Sequence, residues 1–131
     1  MKRRRKISSG DPLVDWLFVR IAQILNRKGT NITLVRSLTE TNCGRRRTIY
    51  GVVEYGEDPY KNDILINGTH AMNRRPEGRG ITLLHEAIHI LMRTVQEPRV
   101  LNLEPLLWER LSPAQRRFII FYVPRHFTDQ R

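Results

Sequence analysis

The chain has 131 residues, enough for one domain with one hydrophobic core and little more. A hydrophobic fraction of 40% against 27% charged residues excludes a disordered chain, and no stretch approaches the roughly 20 apolar residues of a membrane span. The net charge of +10 and pI of about 10.8 favour anionic partners, while the single cysteine, Cys43, excludes an internal disulfide and fits a reducing, cytoplasmic setting.

Residues 1–10 read as a basic flexible arm, and residues 11–131 as a single domain. Asp11 and Pro12 have the chemistry of an N-cap and a first helical residue. Leu13, Trp16, Leu17, Ile21, Ile24 and Leu25 then recur at helical spacing, which predicts a helix over residues 12–27, closed by Gly29. Residues 32–38 read as a strand and residues 39–47 as a polar loop. Residues 48–55 read as a second strand, residues 56–59 as a turn and residues 63–67 as a third strand, short and apolar. Residues 68–80, rich in Gly and Arg, read as loop.

Helical periodicity returns over residues 80–94, and again from Glu97 and Pro98 through Val100, Leu101, Leu107, Trp108 and Leu111. Ser112, Pro113 and Gln115 spell a capping box that opens a last helix to about residue 123. Trp16, Trp108 and the tyrosines fall at helix or strand positions that suggest core. The order predicts an α+β fold: an N-terminal helix, a small three-stranded sheet, then three helices.

The chemistry sits at His85-Glu86-Ala87-Ile88-His89. Residues four apart share one helix face, so His85 and His89 can offer two imidazoles to one metal ion. Zn2+ held there would lower the pKa of water bound to it, and Glu86 could take the released proton as general base. A catalytic zinc usually has three protein ligands. No third histidine follows closely, since position 92 is Met and position 95 is Val. A glutamate is the expected third ligand, and Glu97, Glu104 and Glu109 are the choices. If residues 98–111 are one helix, Glu104 falls on the apolar face between Leu101 and Trp108, and Glu109 falls opposite. Pro105 could break that helix and so favour Glu109.

HEAIH with a downstream glutamate resembles the gluzincin branch of HExxH zinc metallopeptidases. The order of elements is similar to minimal gluzincins, to phage- and plasmid-encoded zincins and to the ImmA/IrrE-like group. The resemblance implies a zincin-like fold and a zinc-dependent peptidase. It implies His85, His89 and Glu104 as metal ligands, Glu86 as the catalytic base and a protein or peptide as substrate. The wider spacing of the best-known gluzincins would select Glu109 instead. It also implies that the strand before the catalytic helix, residues 63–67, forms the cleft edge, with free backbone groups for an extended peptide.

An oxyanion-stabilising group is also needed, and His70, Tyr122, His126 and the arginines at 74, 75 and 79 are the options. The basic segments, Lys2 to Lys6 and Arg45 to Arg47, could contact phosphate, which would make the chain a nucleic-acid-associated module. Their plainer reading is a solvated tail and a solvated loop. A zinc-binding regulatory protein without activity is the third alternative. The strong positive charge favours a monomer. Cys43 lies beside three arginines but has no base near it in sequence.

Overall fold

The computed structural model describes residues 8–42, 44–58, 60–93 and 97–128, and for residue 42 and residues 97–101 the backbone alone. The fold is α+β, as the element pattern predicts. Helix α1 (Pro12–Leu25) is followed by strands β1 (Thr30–Val35), β2 (Thr39–Asn42), β3 (Arg45–Thr48), β4 (Gly51–Tyr55) and β5 (Asn62–Asn67). A short 3-10 helix (Ala71–Asn73) leads into α2 (Pro76–Leu91), α3 (Glu97–Arg110) and α4 (Pro113–Phe121). Among the described residues, no helix is long and apolar enough to cross a membrane.

Local sequence accounts for the helix ends. The Asp11 carboxylate accepts from the backbone N–H groups of Leu13 and Val14, and Pro12 takes the first helical position. Ser112 and Gln115 form the reciprocal capping box at the start of α4. The core gathers Phe18, Ile21 and Ile24 of α1, Leu34, Ile64 and Ile66 of the sheet, Leu83, Leu84 and Ile88 of α2, and Leu107 and Ile119 of the last two helices. Phe18 meets Phe118 edge to face at 5.3 Å between ring centres. The buried side of α1 is Val14, Phe18, Ile21, Ile24 and Leu25, so Leu13 and Trp16, expected in the core, face outward at 65% and 53% exposure. Arg20 stacks over the Trp16 ring instead. Trp108 is buried as expected, whereas Tyr55 and Tyr60 are exposed.

Three sheet expectations change. Residues 39–47 are not a loop: β2 and β3 pair as an antiparallel hairpin with Glu40 opposite Arg47, and Gly44 at its tip takes a positive φ of 76°. Cys43 lies outside the described residues. The expected strand over residues 48–55 is broken at 49 and 50, which separate β3 from β4. Most consequentially, β5 is not an edge. The sheet order is β1-β5-β4, with β1 parallel and β4 antiparallel to β5. The apolar run Ile64, Leu65, Ile66 suits a strand paired on both sides, and the edge falls to β4, whose Glu54 and Tyr55 are exposed.

Helix α2 begins at Pro76 rather than residue 80. Its glycines serve close packing and do not mark a loop. A Cβ on Gly78 would lie on the carbonyl oxygen of Met72, and one on Gly80 would lie 2.6 Å from Ile120 Cγ1. Helix α3 runs through Pro105 without ending there. At the N-terminus, residues 1–7 of the basic arm lie outside the described residues. Ser8 and Ser9 are tied down, both bonding the Asp15 carboxylate, which also accepts from the fully buried Gln115 of α4. The Ser9 backbone N–H, then Gln115 and the Ser9 hydroxyl, hold the Asp15 carboxyl down from its ordinary 3.8 to about 2.

Candidate metal centre

Helix α2 carries His85, Glu86 and His89 on the side that faces β4 and α3. Its neighbours Leu83, Leu84 and Ala87 are fully buried, so the backbone beneath the three polar residues is fixed by the core. His85 is 1% exposed and Glu86 3%. His89 is partly exposed, at the mouth of a cleft of about 430 Å3 that Glu86 also lines.

One side-chain nitrogen or oxygen from each of the three residues lies within 4.8 Å of the others, a group that could hold a metal ion. The Nε2 atoms of His85 and His89 are 3.2 Å apart, with ring planes at 73°. Two nitrogens bound at about 2.0–2.1 Å to one tetrahedral ion stand about 3.3 Å apart, so the pair has the spacing of co-ligands. The same spacing also suits one imidazole donating to the other.

Glu104 comes from α3 and approaches the His85 ring. Its Oε1 lies 3.3 Å from His85 Nδ1, and the residue is 8% exposed. The contact is within ion-pair range but is not aligned as a hydrogen bond, and this oxygen is buried with no hydrogen-bond partner among the described residues. Glu104 stands outside the compact His85, Glu86 and His89 group because it approaches the far nitrogen of His85. The two other glutamates are elsewhere. Glu109 is exposed, and its backbone carbonyl accepts from Arg116. The Glu97 side chain lies outside the described residues.

The opposite wall brings in two residues that the sequence reading did not single out. Tyr50 places its hydroxyl 3.2 Å from His85 Nε2 and 3.4 Å from Nδ1. The hydroxyl thus lies within hydrogen-bond reach of both ring nitrogens, on the same imidazole that meets His89. The segment that carries Tyr50 is pinned from below. Its carbonyl accepts from the Asn67 backbone N–H and from the amide of Asn73, which is fully buried. Asn73 also donates to the Asn67 carbonyl and accepts from the Thr82 hydroxyl on α2. Asn67 donates to the Ile49 carbonyl.

Gly51 follows. A Cβ there would lie 2.7 Å from Thr82 Cγ2 and 3.0 Å from Glu86 Oε2. Strand β4 therefore passes directly over the Glu86 carboxylate. A glycine inside an apolar strand was the available signal, since such a residue marks a close backbone approach.

The groups considered for the oxyanion are dispersed. His70 caps the 3-10 helix by accepting from the Met72 N–H, and its ring stands 6.0 Å from that of Tyr50. Tyr122 donates to Asn26, and Arg79 donates to the Asn73 carbonyl. Arg74, Arg75 and His126 are exposed.

No family model, curated protein sequence or solved structure matches the chain. What stands is a buried His-Glu-His group with HExxH spacing on one helix of an α+β domain.

Proposed function

We propose that this chain is a zinc-dependent peptidase of the gluzincin type. The observation that carries the reading is the pair of Nε2 atoms 3.2 Å apart on a buried helix face, with the Glu86 carboxylate beside them. Oε1 of Glu104 supports it: it has the His85 ring in ion-pair range but no hydrogen-bond partner among the described residues, and a buried carboxylate oxygen in that position favours a cation. The donor set of two imidazoles and a carboxylate suits zinc.

His85 and His89 would hold the ion and Glu104 would complete the set. Zinc, when bound, lowers the pKa of water and polarises a carbonyl group. The chain's own residues do the rest. Glu86 accepts a proton from the attacking water and returns it to the leaving amine, so the carboxylate ends the cycle as it began. Tyr50 donates its hydroxyl proton as a hydrogen bond to the oxygen on which negative charge develops. The β4 edge, which has no neighbouring strand on its outer side among the described residues, would receive an extended peptide as an added strand and lay it across Glu86. Edge docking thus moves from β5, where the resemblance placed it, to β4.

The test is zinc content by elemental analysis together with hydrolysis of a mixed peptide library. About one zinc per chain is expected, with hydrolysis that falls by about 100-fold or more in Glu86→Gln while zinc is retained. Wild-type protein that takes up no zinc, or a Glu86→Gln variant of full activity, would refute the reading.

A further inference from the structure

Helices α2 and α4 form a second concavity that the metal centre does not use. It has a volume of about 570 Å3 and lies between the first turn of α2 and the end of α4. Its apolar lining is Pro76, Ile120, Phe121, Val123 and Pro124, and three arginines, Arg79, Arg117 and Arg125, also line it. The close crossing at Gly80 seats Ile120 against the α2 backbone and so sets the floor. Arg79 is six residues before His85. At about 100° per residue it is turned by about 240° from it, so the groove opens on a different side of α2 from the cleft.

Two features are unexplained by folding. Phe121 is 79% exposed, the highest value among the large apolar side chains described. The three guanidinium groups have no carboxylate among the residues that share the groove with them. The guanidinium groups of Arg117 and Arg125 make no hydrogen bond or ion pair among the described residues. Arg79 is held in place by its Nε–H bond to the Asn73 carbonyl at 2.7 Å. Like charges gathered on an apolar concavity repel one another, and an anion relieves that repulsion.

We propose that this groove docks a peptide segment in which acidic residues flank an aliphatic or aromatic anchor. The floor accepts the apolar anchor, and the arginines match carboxylates, which they can bind in bidentate fashion. The lining favours a peptide over single-stranded nucleic acid. Strand-binding grooves stack successive bases on several aromatic rings, and here there is one ring on an aliphatic floor.

The test uses the full chain and three fluorescent probes, read by anisotropy. One is a short peptide alternating Glu with Leu around a central Phe. The second has every Glu replaced by Gln, and the third is an oligothymidylate. The acidic peptide is expected to bind, and the Gln peptide to bind about tenfold more weakly or worse. The double variant Arg117→Glu, Arg125→Glu is expected to lose about tenfold or more in affinity for the acidic peptide, and Phe121→Ala to lose affinity at unchanged salt dependence. Unaltered thermal unfolding and circular dichroism in the variants verify that they fold. Acidic-peptide binding that is absent, or equal in wild type and both variants, would overturn the proposal. So would oligothymidylate binding that depends on Arg117 and Arg125 and outcompetes the peptide. None of these readouts requires bound metal, so failure here leaves the peptidase reading standing, and the reverse also holds.

Discussion

The two walls of the cleft are built differently. The α2 wall bears His85 and Glu86 at 1% and 3% exposure, with fully buried Leu83, Leu84 and Ala87 around them. The facing wall, formed by β4 and the β2–β3 hairpin, is half-buried at Gly51, Val52 and Val53 and exposed at Glu54, Tyr55 and all of β3. One wall draws its rigidity from the core, and the other from a few hydrogen bonds and one edge of the sheet. On the proposed reading, the groups that need a fixed geometry sit on the first wall, and the surface that would receive a peptide sits on the second.

The largest effect should come from the first wall. His85→Ala removes one of two imidazoles, and bound zinc is expected to fall from about one per chain to near none by elemental analysis. Glu104 then sharpens what the wall contains. If its carboxylate ligates the ion, Glu104→Ala loses stoichiometric zinc as well. If the 3.3 Å contact with His85 Nδ1 means that it only orients the ring, affinity drops about 10–100-fold while saturation is still reached in a zinc titration. Glu109→Ala, on the exposed face of α3, is expected to change neither.

On the second wall, Gly51→Ala forces a methyl group against Thr82 Cγ2 and Glu86 Oε2. Strand β4 has to lift from α2, at a cost of about 1–3 kcal/mol in chemical or thermal unfolding. An unchanged stability would mean that the strand does not press on Glu86 and that the two walls are independent. Tyr50→Phe keeps the ring and deletes one hydroxyl. Peptide hydrolysis is expected to fall about 10–100-fold in kcat with zinc content and stability intact, somewhat less than for the best oxyanion donors. A rise in KM of the same size with kcat unchanged would assign Tyr50 to substrate binding alone.

The same contrast explains what could be read from the sequence. The α2 motif is local: two imidazoles at i and i+4 on a buried helix need no tertiary information, and the capping box at Ser112 needs none either. Glu104 could be separated from Glu109 because one helical face is apolar, and the structure buries one and exposes the other. The second wall depends on pairing between distant segments. Nothing local makes residues 39–47 a hairpin, since its strands are polar and pair with each other. Nothing local makes β5 central rather than an edge, because that is decided by where β4 returns. Gly78 and Gly80 read as loop residues because the backbone and side chains that crowd them, Met72 and Ile120, lie elsewhere in the chain. Tyr50 is set in place by Asn67 and Asn73, distant in the chain, which hold its carbonyl.

The smallest expected effect concerns the support behind the α2 wall. Asp15 of α1 accepts from Ser8, Ser9 and the buried Gln115 of α4, and so joins the first and last helices that flank α2. Its folded-state carboxyl is depressed to about 2 from 3.8, chiefly by the Ser9 backbone N–H and then by Gln115. A depressed carboxyl contributes stability that is fully present above its unfolded value and is lost as pH falls through the folded one. The difference in stability between wild type and Asp15→Asn should therefore be constant above about pH 4 and shrink between about pH 4 and pH 2. Acid unfolding monitored by circular dichroism gives that difference. A gap that persists unchanged to pH 2 would mean that hydrogen bonding by the neutral side chain, and not the charge, holds α1 to α4. In that case the scaffold behind α2 would be insensitive to acid through this residue.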